Sequence, residues 1–220
     1  MTKQGERANR VYQLSLARPI LVPLALLSIA VVLRVVDIFL LPLAEEMGEA
    51  FLHKALGLVM VLVYLWAAGQ PLSAIGLHGR LAGRAVFIGA VGIVLVLLLT
   101  FGVQMGVLRA AGEQVTLALV AIDNKTGLAR EGWGFGLWLF LGNLINSFME
   151  EGLFRGVMLT HFRLRLSPWR ANLLQAVVFG LWHVAWPIWR LVYGHADLAA
   201  VASEAIIIVL ASTVSGLAYG

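Results

Sequence analysis

Apolar residues in this chain gather into long blocks, and charged residues fall between them. Six stretches approach the roughly 20 mostly apolar residues needed to cross a bilayer: 19–44, 50–69, 85–108, 133–160, 171–193 and 199–220. The clearest, Ala85–Leu108, contains no charge at all. Continuous runs of this length predict membrane helices, whereas membrane strands would show short alternating segments. The fold class expected is all-α, a polytopic transmembrane bundle. Within the first run, Arg34 and Asp37 stand three apart. On a helix they share a face, so they are expected to pair with each other, turned inward.

Composition agrees with the pattern. Hydrophobic residues make up 60% and charged residues 13% of the chain, and mean hydropathy is +0.90. That is too little charge to coat a soluble domain of this size. With no cysteine, disulfides, thiolate catalysis and cysteine-bound metal are excluded. The net charge of +4 does not point to nucleic acid, because the basic residues sit in short loops. The tail and the loops holding Arg80, Arg84, Arg163, Arg165 and Arg170 carry nine Lys or Arg; the opposite loops carry five, among them Lys54 and Lys125. Most loop acids, including Glu45, Glu46 and Glu49, also lie on the second side. The positive-inside rule then places residues 1–18 in the cytoplasm as a tail, followed by a bundle over 19–220. The chain ends inside an apolar stretch that begins near Ala205, which reads as a truncated C-terminus. Gln114–Ile122 is expected to form a short interfacial helix, and His53, His78, His161 and His195 to lie at membrane boundaries. Trp133, Trp169 and Trp189 suit an aromatic belt, and Trp138, Trp182 and Trp186 suit packing. The pairs Gly102/Gly106, Gly132/Gly136 and Gly152/Gly156 would let helices approach closely.

The fourth run carries Asn143, Asn146, Glu150, Glu151 and Arg155. One buried charge near a helix centre costs roughly 2.5–3.5 kcal/mol on translocon scales, so two adjacent acids need partners or a use. Glu151 and Arg155, four apart, can pair. Glu150 points about 100° away, with Asn146 one turn before it on the same side. The fifth run carries Phe179, Trp182, His183 and Trp186. Glu150 and His183 are equidistant from the connecting loop's centre, between Leu166 and Ser167, so an antiparallel hairpin sets them at one depth. Ten residues separate Thr160 from Glu150, about 15 Å of helix, near the middle of a core about 30 Å thick. A carboxylate and an imidazole at matched depth can act as a general-base pair that activates water. With Arg155 holding Glu151 ionised, Glu150 is the carboxylate left to exchange a proton.

Two motifs here resemble a known family. Glu150-Glu151-Gly-Leu-Phe-Arg155-Gly156 resembles the EExxxR motif of the CPBP intramembrane proteases, and Phe179-Gly-Leu-Trp-His183 resembles their FxxxH motif. The family, also called Abi or CAAX protease-like, includes the eukaryotic Ras-converting CAAX endopeptidase. The likeness covers roughly 130–220 well. It implies a bundle of about eight helices open to the cytoplasm. Glu150 and His183 would activate water, Glu151 and Arg155 would support them, and Asn146 and Phe179 would line the site. It further implies a third motif, a His and often an Asn four residues on, which would hold the oxyanion. Ser215–Gly220 resembles the stretch just upstream of that motif, and its residues would lie beyond Gly220. The expected mechanism is a metal-free glutamate mechanism with no cofactor. Zinc is the alternative, although no HExxH motif is present. The expected substrate is a membrane protein or membrane-associated peptide in the lipid bilayer, and the expected location is the bacterial inner membrane. A non-catalytic role in bacteriocin self-immunity or as a scaffold is the rival. A transporter is disfavoured by the lack of matching halves.

Overall fold

The computed structural model describes residues 3–41, 50–75, 83–112, 120–122 and 129–219. Nine α-helices are described: α1 (Lys3–Ala17), α2 (Leu21–Val35), α3 (Leu52–Ala67), α4 (Gly83–Ala110), α5 (Trp133–Glu150), α6 (Leu159–Phe162), α7 (Pro168–Trp182), α8 (Ala185–Val192) and α9 (Leu198–Tyr219). Two of them run on into π-helical segments. Val36–Leu40 prolongs α2, and Glu151–Met158 joins α5 to α6. Three spans among the described residues are long and apolar enough to cross a membrane: Leu21–Leu40, Pro168–Val192 and Leu198–Leu217. The helix Leu52–Ala67 is apolar but shorter.

The chain divides into two units. One comprises Met1–Leu77 with Ala121–Gly220, and holds every residue of the candidate site. The other is His78–Val120, and nearly all of its described residues belong to the helix α4. Outside the helices, Val120–Ile122 and Ala129–Glu131 form a two-stranded sheet. The expected helix over Gln114–Ile122 therefore ends in strand, and the rest of it lies outside the described residues. So do Glu45, Glu46, Glu49, His78, Arg80 and Lys125.

Around the site, α7 packs along α9, α3 along α5, and α2 along α3. The core between them is Val61, Leu65, Met149, Leu153, Phe154, Met158, Phe162 and Trp182. The close approach expected of Gly152 and Gly156 is present. A Cβ on Gly152 would stand 3.2 Å from Val61, and one on Gly156 would stand 2.3 Å from Ile75 Cβ. A short 3-10 turn, Leu72–Ile75, therefore lies directly on the EExxxR segment. Gly180, inside the second motif, meets α9 in the same way: a Cβ there would stand 2.7 Å from the Val209 carbonyl oxygen. A Cβ on Gly102 or Gly106, on α4, would meet nothing within 4 Å among the described residues.

Residues 3–17, within the expected tail, form a helix. His53 is 2% exposed in the first turn of α3, beside a likewise buried Lys54. Arg34 and Asp37 are both buried, but Asp37 takes its hydrogen bonds from His53, not from Arg34. The reason is local. Asp37 stands on the π segment and reaches the start of α3, where backbone N–H groups have no partner inside the helix.

Candidate active site

The fifth apolar run is not one continuous helix. It breaks at His183, between α7 and α8. Two features of the sequence produce the break. The ring of His183 turns back so that Nδ1–H donates to the Phe179 carbonyl at 2.9 Å, while its backbone N–H closes a tight turn on the Gly180 carbonyl at 3.1 Å. Pro187, four residues on, has no N–H with which to continue the ladder, but sits comfortably in the first turn of a new helix. With Nδ1 engaged, Nε2 of His183 keeps its lone pair. The ring packs edge-on against Phe179, centroids 4.7 Å apart.

Glu150 closes α5, and Glu151 opens the π segment. Its i→i+5 bonding widens the turn, a departure that recurs at functional sites. Arg155 pairs with Glu151, as the spacing predicts. The guanidinium also lies 5.2 Å over the Phe179 ring. Arg155 is the more buried partner, with its side chain 13% exposed against 51% for Glu151. Glu150 goes elsewhere: its Oε1 accepts a hydrogen bond from the Trp182 indole N–H at 2.9 Å. The hairpin count is thus within one residue of the contact, since Trp182 adjoins His183. No hydrogen bond joins Glu150 directly to His183 among the described residues.

Trp182 was expected only to pack. It does pack, edge-on to Phe154 at 5.8 Å, and it also bonds Glu150. Its ring carries a cation, with Arg34 4.3 Å from the centroid. Arg34 in turn donates to His53 Nε2 at 3.4 Å, and His53 Nδ1–H donates to Asp37 at 2.7 Å. Five polar side chains from α2, its π segment, α3, α5 and α7 therefore form one buried series ending at Glu150. The lone Arg and Asp in an apolar span were the signal for it. His53 gave none, being read as a boundary residue.

Two cavities flank these residues. The first, about 360 Å³, is lined by Glu151, Arg155, Phe179, Ala211, Ser212 and Ser215. The second, about 340 Å³, is mostly apolar and runs from Val31 to Ile188, with Arg34 and Trp182 in its wall. Phe179 lines the first cavity; Asn146, Glu150 and His183 line neither. Asn146 is half-buried, its Oδ1 without a hydrogen bond. Motif and spacing give Ser212 and Ser215 no role; the structure sets both, on α9, in one cavity with Glu151. Of the other histidines, His161 accepts from the Tyr64 hydroxyl at 2.9 Å, and His195 stacks on Trp189. No three of the described His, Asp and Glu side chains gather in a metal-binding group.

Residues 132–220 match a family model described as type II CAAX prenyl endopeptidase Rce1-like. The matched segment begins one residue before α5 and takes in both motifs, consistent with the CPBP or CAAX protease-like family. Comparison with curated proteins and with solved structures finds no match. The family is one of peptide-bond hydrolases, and the chain is an integral membrane protein.

Proposed function

We propose that this chain is an intramembrane endopeptidase that cleaves a peptide bond in a membrane-associated protein or peptide, with water activated by Glu150 and His183. The observation that carries the reading is the division of labour between two adjacent carboxylates. Glu151 is engaged by Arg155. Among the described residues, the hydrogen bond Glu150 accepts is from the Trp182 indole, which leaves carboxylate lone pairs for a water molecule. Environments that separate two neighbouring acids are the usual means of dividing roles between them.

In this mechanism Glu150 takes a proton from water, and the water oxygen bonds to the scissile carbonyl carbon. His183, with Nδ1 held by the Phe179 carbonyl, offers Nε2 to orient that water. The tetrahedral intermediate collapses as the C–N bond breaks and the leaving nitrogen takes up the proton. Arg155 holds Glu151 and caps the Phe179 ring that His183 packs on. The mechanism needs no metal, since Glu151, the third ligand a zinc site would require, is committed to Arg155. The catalytic face opens to the cytoplasm and the chain resides in a bacterial inner membrane with its N-terminus inside, in keeping with the charge asymmetry of the loops.

The test compares protein termini by mass spectrometry in cells expressing wild type or Glu150→Gln. New termini that appear only with wild type are expected, and they name the substrates. Identical termini at equal membrane levels of the two proteins would sink the protease reading.

A further inference from the structure

The other four members of the series that ends on Glu150 (Asp37, His53, Arg34 and Trp182) are given no step in the water chemistry itself. Arg34 is 5% exposed and Asp37 is fully buried, in a span that otherwise carries no charge and is mostly Leu, Val, Ile and Ala. Such charges are expensive in a membrane and persist where they have a use. Their geometry is directional. Asp37 accepts from both the backbone N–H and the Nδ1–H of His53, at 2.9 and 2.7 Å, which fixes the ring. The fixed ring presents Nε2 to Arg34 NH1 at 3.4 Å. Arg34 lies 4.3 Å over the Trp182 centroid, and the only polar atom of that indole donates to Glu150. A cation over the indole face draws electron density from the ring, so the N–H is a stronger donor and the ring is pinned in one orientation.

We propose that Trp182 and Arg34 are positioning residues for Glu150: Trp182 aims the carboxylate through its indole N–H, and Arg34, seated by His53 and Asp37, locks the indole. This rests on the protease reading for its kinetic consequence only. The hydrogen bond and its dependence on Arg34 can be measured without turnover.

Two measurements on the full chain in detergent micelles test it. The first follows the indole ¹⁵N–H resonance of Trp182, assigned by its loss in Trp182→Phe. It is expected to move in Glu150→Gln, where the charged acceptor is gone, and in Arg34→Met, where the ring loses its cation. Arg34→Lys is expected to move it less than Arg34→Met. A resonance unmoved by Glu150→Gln or by Arg34→Met overturns the proposal. The second compares kinetics on a substrate found by the termini experiment. Trp182→Phe keeps an aromatic ring near Arg34 and removes the donor together with the pyrrole half of the indole, so kcat should fall about 10- to 100-fold with KM within about twofold. Arg34→Lys should restore most of the kcat lost in Arg34→Met. A loss confined to KM, or a Lys variant as impaired as the Met variant, also overturns it. Should Arg34→Met not fold, Trp182→Phe kinetics and the Glu150→Gln resonance decide the matter. If wild type has no turnover at all, the protease reading fails, and the resonance still decides whether this series positions Glu150.

Discussion

Asp37 receives two hydrogen bonds from His53, through the backbone N–H and the ring Nδ1. The contact ties the end of the first span to the start of α3, across a segment of sixteen positions. Both residues are buried, so neither can exchange its partner for water.

Breaking this contact should be severe. Asp37→Ala leaves the first turn of α3 and the His53 ring without an acceptor, at about 3–5 kcal/mol. Asp37→Asn, which keeps one acceptor oxygen, should lose less. Thermal unfolding in detergent checks the order. A double-mutant cycle with His53→Ala should give a coupling of about 1–3 kcal/mol, since the two residues touch. Additive losses would mean that the contact carries no stability of its own.

The α7–α9 crossing should reject the smallest side chain. A Cβ on Gly180 would stand 2.6 Å from Thr213 Oγ1 and 2.7 Å from the Val209 carbonyl oxygen. Gly180→Ala should therefore destabilise by about 1–3 kcal/mol. Adding Thr213→Ala should recover only part, because the carbonyl belongs to the α9 backbone and cannot rotate away. Full recovery would show that the side chain alone sets the approach.

Gly156 predicts a different rescue. Its Cβ would collide with the Ile75 side chain, at 2.3 and 2.7 Å. Gly156→Ala should lower the melting temperature, and Ile75→Ala should recover less than Thr213→Ala does for Gly180, because alanine removes Cγ2 but keeps the Cβ that stands nearest. Ile75→Gly, which removes both atoms, should recover more, and the remaining deficit reflects the Ile75 backbone, 3.1 Å away at Cα.

His161 predicts a pH effect. It lies in α6, outside the three spans long enough to cross a membrane. Its Nδ1–H donates to the Val157 carbonyl at 2.8 Å, and its Nε2 accepts from Tyr64. Burial pushes its pKa below the ordinary histidine value, partly offset by the Val157 bond. The neutral form is thus favoured by folding, and this contribution is fully present above about pH 6.5. It is lost as pH falls from there through the lowered folded value, because the unfolded chain takes the proton first. Melting temperatures from pH 7.5 down to 5.5 should fall more steeply for wild type than for His161→Gln. Equal slopes would mean that His161 does not titrate in this range.

The supporting pair should act as a unit. Glu151→Gln leaves Arg155 with an uncharged partner, and Arg155→Met leaves Glu151 with none. Each should lower turnover, and the double variant should lose little more than the worse single one. Peptide cleavage by the three purified variants measures this. Chelation with EDTA should leave wild-type turnover unchanged; a loss that zinc restores would point to a metal enzyme.

The sequence by itself determined the membrane character, because no soluble surface can be made from so few charges. It also determined the Glu151–Arg155 pair, because four-residue spacing still brings the two together in the widened π turn. The depth of Glu150 came within one residue of its contact on α7, since antiparallel helices joined by a short loop must count back symmetrically. What only the tertiary structure decided was where the remaining polar groups went. Asp37 was three residues from a ready cation, yet the π segment carried it to the open N-terminus of α3. Trp182 looked apolar in a one-dimensional reading, although its single N–H had to find an acceptor once buried. Ser212 and Ser215 line one cavity with Glu151, and α9 lies close against α7 at Gly180 and at Gly216, where a Cβ would stand 2.9 Å from Ala176 Cβ. Local spacing fixes neighbours along one helix. The partners of a buried polar atom are fixed by which helix ends and backbones come near it, and periodicity carries no record of that.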